Sequence, residues 1–228
     1  MSSKALEDYL KIIYKLENGC QEGKGVQTSA IAERLAISQA SVSNMLKKLA
    51  EKQYIEYARY HGVSLTPSGR KIALQMVRKH RILELYLVER LGYSWDEVDE
   101  EAEILEHSIS DKLANRMWED LGRPTQDPHG SPIPDHDGEV FFQDWISLAE
   151  VDLGQRVRLR RIKNRTPEEL RYLSSIGLMT GTNIEVKNRA PAEGPLLIEI
   201  ESDQLQAIDY RMAEALMVSR EQDAKTSI

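Results

Sequence analysis

The chain has 228 residues, 41% of them hydrophobic and 29% charged, which is enough for one large domain or two small ones. No window approaches the roughly 18 uncharged apolar residues of a membrane span, and the first residues lack the apolar stretch of a signal peptide. Cys20 is the only cysteine, which excludes an internal disulfide and a thiolate zinc site. Composition therefore predicts a cytoplasmic protein that does not interact with membranes.

Charge is distributed unevenly along the chain, whose net charge is −7. Residues 1–80 hold thirteen basic and seven acidic residues, a net charge of +6. Residues 81–145 hold five and seventeen, a net charge of −12, and the remainder is close to neutral. A basic N-terminal third favours contact with DNA phosphates, and an acidic middle fits cation binding, although an acidic solvated surface has the same composition.

The N-terminal third predicts a winged helix-turn-helix. Apolar residues recur at helical spacing from Lys4 to Glu17, and a second helix over 29–35 is predicted with Thr28 as its N-cap. Ser38 is predicted to cap a third helix that continues to about Lys52. Residues 54–65 are rich in β-formers around Gly62, which predicts a hairpin as the wing.

The polar side of the third helix predicts a contact with double-stranded DNA. Its N-terminal part would enter the major groove, and the tip of the wing would meet phosphate or the minor groove. A solvated amphipathic helix is the alternative interpretation. The candidate DNA-binding residues are Thr28, Ser38, Gln39, Ser41, Ser43, Asn44, Lys47, Lys48, Arg59 and Tyr60.

The rest of the chain divides into a helical region, a linker and a small β domain. Helices are predicted over about 67–91, 94–108 and 110–121, and residues 122–138 hold four of the eight prolines. Beyond the linker the apolar pattern changes to period two, which predicts an all-β barrel. The predicted domains are 1–66, 67–122, a linker over 123–146, 147–220, and a disordered tail over 221–228.

Two groups of metal-ligating side chains stand out in the acidic middle. Glu103, Glu106 and His107 lie at i, i+3 and i+4, which places them on one face of a helix, with Asp99 one turn earlier. His80 and Glu84 form a second i, i+4 pair. Asp8 lies on the apolar side of the first helix, where an unpaired carboxylate is costly to bury. A shared divalent cation would remove that cost.

These features together resemble the diphtheria toxin repressor / MntR family of metal-dependent regulators. The resemblance includes the winged helix, the segments 77–84 and 99–107, the linker 128–134 and a C-terminal domain similar to the family's SH3-like, FeoA-type domain. It implies an α+β multi-domain fold with a winged helix-turn-helix, an all-α dimerisation domain and an SH3-like β-barrel. It also implies a homodimer that binds a palindromic operator of metal-uptake genes and is not an enzyme.

The resemblance also implies the metal. Manganese-responsive members carry Asp and Glu at the positions of Asp8 and Glu103, where iron-responsive members carry Met and Cys; hard oxygen ligands suit Mn²⁺. Fe²⁺ and other divalent ions remain alternatives. An ancillary site is implied at His80, Glu84 and Asp99 with Glu169 from the barrel. Two positions leave the number of bound ions open. Two-domain manganese members carry Glu where this chain has Lys11, and iron-type members carry His where it has Asp99.

The mechanism predicted from these residues is a metal switch. Without metal, Asp8, Glu103 and Glu106 would repel one another and leave the first helix loosely held; a bound ion would join that helix to the helical domain and fix the spacing of two recognition helices. Two other functions stay open. Clustered carboxylates and histidine also serve metallohydrolases, and a winged helix can respond to a small organic ligand.

Overall fold

The structure, a computed structural model, describes residues 3–17, 25–58, 62–141, 143–163, 166–201 and 204–220. Arg59, Tyr60, Cys20 and the predicted tail over 221–228 lie outside these ranges. The chain forms two compact units. The first comprises Met1–His80, Glu106–Ile109 and Pro134–Glu139, and the second comprises Arg81–Leu105, Ser110–Ile133 and Val140–Ile228. Within the described ranges, no helix has the length and apolar character needed to cross a membrane.

The first unit contains the winged helix-turn-helix. Its elements are α1 (Ser3–Glu17), α2 (Thr28–Leu35), α3 (Gln39–Glu51), β1 (Ile55–Ala58) and β2 (Gly62–Leu65). The strands pair antiparallel, with Ile55 opposite Leu65. Leu10, Ile13, Ile31, Leu46 and Val63 are fully buried and form part of its core. The helix-turn-helix and the hairpin predicted from the sequence are therefore confirmed.

The turn between α2 and α3 is defined by Ala36 and Ser38. Ala36 adopts a left-handed conformation (φ 53°) that ends α2. Ser38 then caps α3 by accepting a hydrogen bond from the backbone N–H of Ser41, as predicted. The prediction for Thr28 was wrong by one residue: Gln27 is the N-cap and Thr28 is the first residue of α2.

Three further helices follow: α4 (Pro67–Leu91), α5 (Val98–Leu105) and α6 (Asp111–Asp120). Ser110 caps α6 by accepting from the N–H of Leu113. Helix α5 is shorter than predicted. It ends at Leu105, so Glu106 and His107 lie in the turn that follows and do not continue a helical face with Glu103.

The β-domain (residues 146–220) belongs to the second unit. Strands β3 (Ile146–Ser147), β4 (Arg156–Ile162), β5 (Asn183–Arg189), β6 (Leu196–Ile200), β7 (Gln204–Ile208) and β8 (Leu216–Arg220) form an antiparallel sheet in the order β3-β8-β4-β5-β6-β7. Alternate residues Val157 and Leu159, and Ile184 and Val186, face a fully buried core that also holds Trp95. Helices α7 (Pro167–Ser175) and α8 (Tyr210–Ala215) complete the domain. The period-two pattern correctly predicted β4, β5 and β6, whereas β3, β7, β8 and the two helices were not predicted individually.

The proline-rich linker is held on strand β4 over part of its length. The backbone N–H of Ile162 donates to the carbonyl oxygen of His129 at 2.9 Å, and the Thr180 hydroxyl donates to the carbonyl of Pro128 at 3.0 Å. Gly130 has a positive φ of 83°, and a Cβ there would lie 1.8 Å from the carbonyl oxygen of Arg160. Only glycine lets the linker approach the strand this closely.

Candidate metal centre and nucleic-acid interface

Helix α1 presents three charged side chains of the candidate centre. Its apolar residues Leu10 and Ile13 are fully buried, so the helix has a fixed rotation about its axis. The side chains of Glu7 and Asp8 are 24% and 29% exposed, whereas Lys11, one turn later, is 2% exposed. A lysine is rarely buried to this extent unless an anionic partner compensates the loss of hydration.

The partner of Lys11 is Glu106, in the turn after α5. The Lys11 Nζ atom lies 2.5 Å from Glu106 Oε1, and His80 Nδ1 lies 2.8 Å from Glu106 Oε2. Glu106 is completely buried. Burial alone would raise the pKa of this carboxyl group, but the hydrogen bond from His80 and the charges of Lys11 and His80 outweigh it and hold the pKa below its ordinary value. Glu106 is therefore an ionised group in a dry environment.

His107 lies between two carboxylates of α1. Its Nε2 atom is 2.7 Å from Asp8 Oδ1, and its Nδ1 atom is 2.8 Å from Glu7 Oε2. The same Nε2 atom is 3.5 Å from Glu106 Oε1. The repulsion expected among the carboxylates is not what the structure shows, because Asp8 faces an imidazole and Glu106 faces an ammonium group and an imidazole.

The donor set fits a divalent transition metal. Asp8, Glu106 and His107 each offer a ligand atom, and these atoms lie within 4.8 Å of one another. All three residues belong to the first unit. Two carboxylates and one imidazole, with no sulfur, suit Mn²⁺, Fe²⁺ or Zn²⁺. The juxtaposition of Asp8 with residues about a hundred positions later is what the sequence predicted; Glu7 and the engagement of Lys11 with Glu106 were missed.

Three other predicted ligands lie on α5 and α7. Asp99 and Glu103 lie on α5, in the second unit, one turn apart on the helix. Glu169 accepts a hydrogen bond from the backbone N–H of Thr166 and completes a capping box at the start of α7. A metal role for these three residues stays a prediction.

A second cluster of ligand atoms lies within the second unit. Glu84, Asp127 and His129 offer atoms within 4.8 Å of one another. Glu84 is 4% and Asp127 8% exposed, and burial together with the charge of Glu84 raises the pKa of Asp127. Arg81 Nε lies 3.6 Å from Asp127 Oδ2. The sequence predicted Glu84 as a ligand but not Asp127 or His129.

The ring of His129 is fixed from several sides. It stacks on Trp95 with ring centroids 5.5 Å apart, and its Nε2 atom is 2.8 Å from the carbonyl oxygen of Trp95. Its Nδ1 atom, on the opposite side, lies 3.6 Å from Glu84 Oε1. A hydrogen bond from Nε2 to a carbonyl leaves Nδ1 free to act as a ligand, as in many metal sites. The sequence signal for this cluster was only an acidic residue two positions before a linker histidine.

The nucleic-acid interface predicted on α3 is presented to solvent. Ser38, Gln39, Ser41, Asn44, Lys47 and Lys48 are exposed, and Ser43 is half-buried. Ser38 and Ser41 also bond each other at the helix start, with hydroxyl oxygens 2.9 Å apart. Thr28 is half-buried on α2. The predicted residues other than Thr28 therefore lie on α3 or at its N-cap, and their contact with DNA stays a prediction.

Comparison with known families assigns each part of the chain. Residues 1–63 match the model of the iron dependent repressor N-terminal DNA binding domain, and residues 66–135 match the iron dependent repressor metal binding and dimerisation domain. Residues 146–220 match the FeoA domain. The three matches occur in the order predicted from the sequence.

Individual relatives agree with these matches. The diphtheria toxin repressor of Corynebacterium efficiens is 29% identical over 226 residues, covering 92% of this chain and 96% of the relative. The HTH-type transcriptional regulator MntR of Oceanobacillus iheyensis is 39% identical over 118 residues, covering 51% of this chain and 77% of the relative. A solved manganese-dependent transcriptional repressor in complex with manganese has a TM-score of 0.85 at 38% identity, covering 94% of this chain and 99% of that chain. The chain therefore belongs to the diphtheria toxin repressor / MntR family of metal-dependent transcriptional repressors.

Proposed function

We propose that this chain is a cytoplasmic, Mn²⁺-dependent repressor that binds a palindromic operator of metal-ion uptake genes as a homodimer. The observation that carries the proposal is the convergence of Asp8, Glu106 and His107, whose ligand atoms lie within 4.8 Å of one another beside the DNA-binding elements of the first unit. The donor set is rich in oxygen and contains no sulfur. Oxygen ligands favour a hard ion such as Mn²⁺ over the softer ions that sulfur ligands select. Similarity to a manganese-dependent repressor with a TM-score of 0.85 supports the same metal.

Fe²⁺ is the second candidate activator. Relatives named iron-dependent repressor IdeR are 38% identical over 128 residues. Mn²⁺ also binds more weakly than Fe²⁺ to a given set of ligands, so availability in the cell contributes to the choice.

The proposed switch depends on where the ligands lie in the chain. Asp8 is on α1, and Glu106 and His107 are in a turn that belongs to the same unit. A bound divalent ion would supply positive charge and directional bonds to these three side chains and no catalytic step. Asp8 and His107 would then hold α1 in one position, and α1 contacts both α2 and β2 of the winged helix. The recognition helix and the wing would thereby be held in one geometry.

We propose a structural role for a metal ion at the second cluster, which consists of Glu84, Asp127 and His129. Glu84 comes from α4, whereas Asp127 and His129 come from the linker that β4 holds. These residues would hold an ion that ties the linker to α4 within the second unit. His80, Asp99, Glu103 and Glu169 are retained as further proposed ligands on the strength of the family resemblance.

Exposed apolar residues support dimerisation in the region matched to the dimerisation domain. Leu91 is 61%, Ile104 57% and Leu113 49% exposed. Side chains of this size in the dimerisation region fit a surface that a second copy covers. A dimer would place two copies of α3 at a spacing that matches half-sites about one helical turn apart, or a multiple of it.

Selection of operators from a random duplex pool tests the proposal. Chelator-stripped protein is incubated with Mn²⁺, with Fe²⁺ under anaerobic conditions, or with no metal, and bound DNA is sequenced. Enrichment of a palindrome only with metal is the expected result, and the ion that acts at the lower free concentration is the activator. Equal enrichment without metal would refute the switch and favour a regulator of another ligand class.

A further inference from the structure

Lys11 pairs with Glu106, one of the two carboxylates of the candidate metal centre. Glu106 Oε1 lies 2.5 Å from the Lys11 ammonium and 3.5 Å from His107 Nε2. The oxygen that faces the other ligands is therefore the same oxygen that Lys11 engages. The other oxygen of Glu106 lies 2.8 Å from His80 Nδ1. Any cation that reaches Glu106 must share this carboxylate with two groups of the protein.

We infer that Lys11 is an affinity-setting residue, an internal cation that competes with the metal ion for Glu106 and weakens metal binding to the range in which a sensor can release its ion. This inference rests on the proposed metal-dependent function. It assigns Lys11 no ligand role, because a protonated amine has no lone pair to donate.

Charge and burial support the inference. The formal charges of Glu7, Asp8 and Glu106 sum to −3, and Lys11 reduces the total for these four side chains to −2. Lys11 is 2% and Glu106 0% exposed, so water screens their charges little. An ammonium group in contact with a ligand oxygen both stabilises that oxygen without metal and repels an incoming divalent ion. Both effects act in the same direction on metal affinity.

A purely structural role for Lys11 predicts a different change in metal affinity when its charge is removed. If Lys11 only maintained the fold around Glu106, removing its charge would disorder the ligands and weaken metal binding. If it competes with the ion, removing its charge strengthens binding. The sign of the change in affinity therefore separates the two roles.

The test is calorimetric titration of the full chain, stripped of metal, with Mn²⁺. Lys11→Met removes the charge and keeps the length of the side chain, whereas Lys11→Gln removes the charge and keeps a donor for Glu106. Both are expected to bind Mn²⁺ at least about tenfold more tightly than the wild type, within the range that outer-shell groups exert on metal affinity. The control Lys4→Met removes an exposed lysine of the same helix and is expected to leave the affinity unchanged.

Each outcome bears on one claim. Equal or weaker Mn²⁺ binding by a folded Lys11→Gln variant overturns the inference and leaves the proposed function in place. If neither variant shows the wild-type circular dichroism spectrum, even with excess Mn²⁺, Lys11 is a folding residue and the inference is also overturned. Wild-type protein that binds no Mn²⁺ would refute the proposed manganese-dependent function itself.

Discussion

Glu17, the last residue of α1, bonds to Leu65 of the wing: its Oε1 atom accepts a hydrogen bond from the Leu65 backbone N–H at 2.7 Å. Its Oε2 atom pairs with Arg70 of α4 at 2.5 Å. Asp8 lies on the same helix, nine residues earlier. Helix α1 therefore carries a candidate metal ligand near one end and a contact with the wing at the other, which gives the candidate centre a direct mechanical connection to the DNA-binding elements.

Replacing Glu17 should separate DNA binding from metal binding. Glu17→Ala leaves a part-buried N–H without its acceptor and is expected to cost about 1–3 kcal/mol of folding free energy. It should weaken operator binding while leaving Mn²⁺ affinity within about twofold of wild type. Denaturant unfolding, calorimetry and fluorescence anisotropy with labelled operator measure the three quantities. Glu17→Gln retains an acceptor for Leu65 and is the milder control; a parallel loss of metal affinity in Glu17→Ala would contradict the separation.

Glu7 is predicted to position His107 for metal binding. Its carboxylate lies 2.8 Å from His107 Nδ1, and accepting that N–H keeps Nε2, the atom near Asp8 and Glu106, available as a ligand. Glu7→Leu is expected to reduce Mn²⁺ affinity about 10–100-fold, and Glu7→Gln less, because an amide oxygen still accepts the bond. Glu33→Gln removes one negative charge at an exposed position and serves as the control. An unchanged dissociation constant for Glu7→Leu, measured by calorimetry, would exclude this role.

The sequence predicted the features that depend on neighbouring residues and missed those that depend on contacts between residues far apart in the chain. Helices α1 to α4 and the β4–β6 strands follow from local periodicity, and the cap at Ser38 needs only the next three residues. Asp8 was predicted to be a ligand because a carboxylate on an apolar helical face is anomalous on its own. The contact of Lys11 with Glu106 joins residues 95 positions apart and left no such anomaly.

The linker shows why the second cluster was missed. Its prolines and polar residues are typical of a solvated connection, so Asp127 and His129 were not predicted as ligands. In the structure, Trp95 belongs to the core of the β-domain and stacks on His129, while β4 bonds the linker backbone. These contacts depend on the folded β-domain, which local pattern does not encode. The early end of α5 at Leu105 is a similar case, because the preceding acidic and apolar residues favour a longer helix.

Gly130 tests whether the linker must lie on β4 for the second cluster to bind metal. A methyl group at Gly130 would lie 1.8 Å from the carbonyl oxygen of Arg160, so Gly130→Ala is expected to displace the linker and with it Asp127 and His129. Gly92 has a similar φ of 73° with nothing within 4 Å of an added Cβ, so Gly92→Ala incurs only the backbone strain of about 1–2 kcal/mol.

Of the two glycine variants, only Gly130→Ala is expected to lose one class of bound metal. Equilibrium dialysis with metal analysis should show fewer ions per chain than for wild type or Gly92→Ala, while metal binding at Asp8, Glu106 and His107 is retained. His129→Ala should give the same loss without moving the linker backbone. Full metal content in Gly130→Ala and His129→Ala would show that Glu84, Asp127 and His129 do not form a metal site.

The exposed lysines of α3 predict how binding responds to salt. Lys47 and Lys48 follow Ser43 and Asn44 on the recognition helix, and an ammonium group contributes mainly to phosphate binding, which carries no sequence information. Lys48→Ala should weaken binding to specific and unrelated duplexes alike and reduce the slope of log K against log salt by about 0.9 for each phosphate that is no longer neutralised.

Asn44→Ala should instead lower affinity for the operator more than for unrelated DNA, because an amide reads base edges. Anisotropy titrations at several salt concentrations measure both effects, and equal specificity ratios for wild type and Asn44→Ala would remove Asn44 from the reading surface.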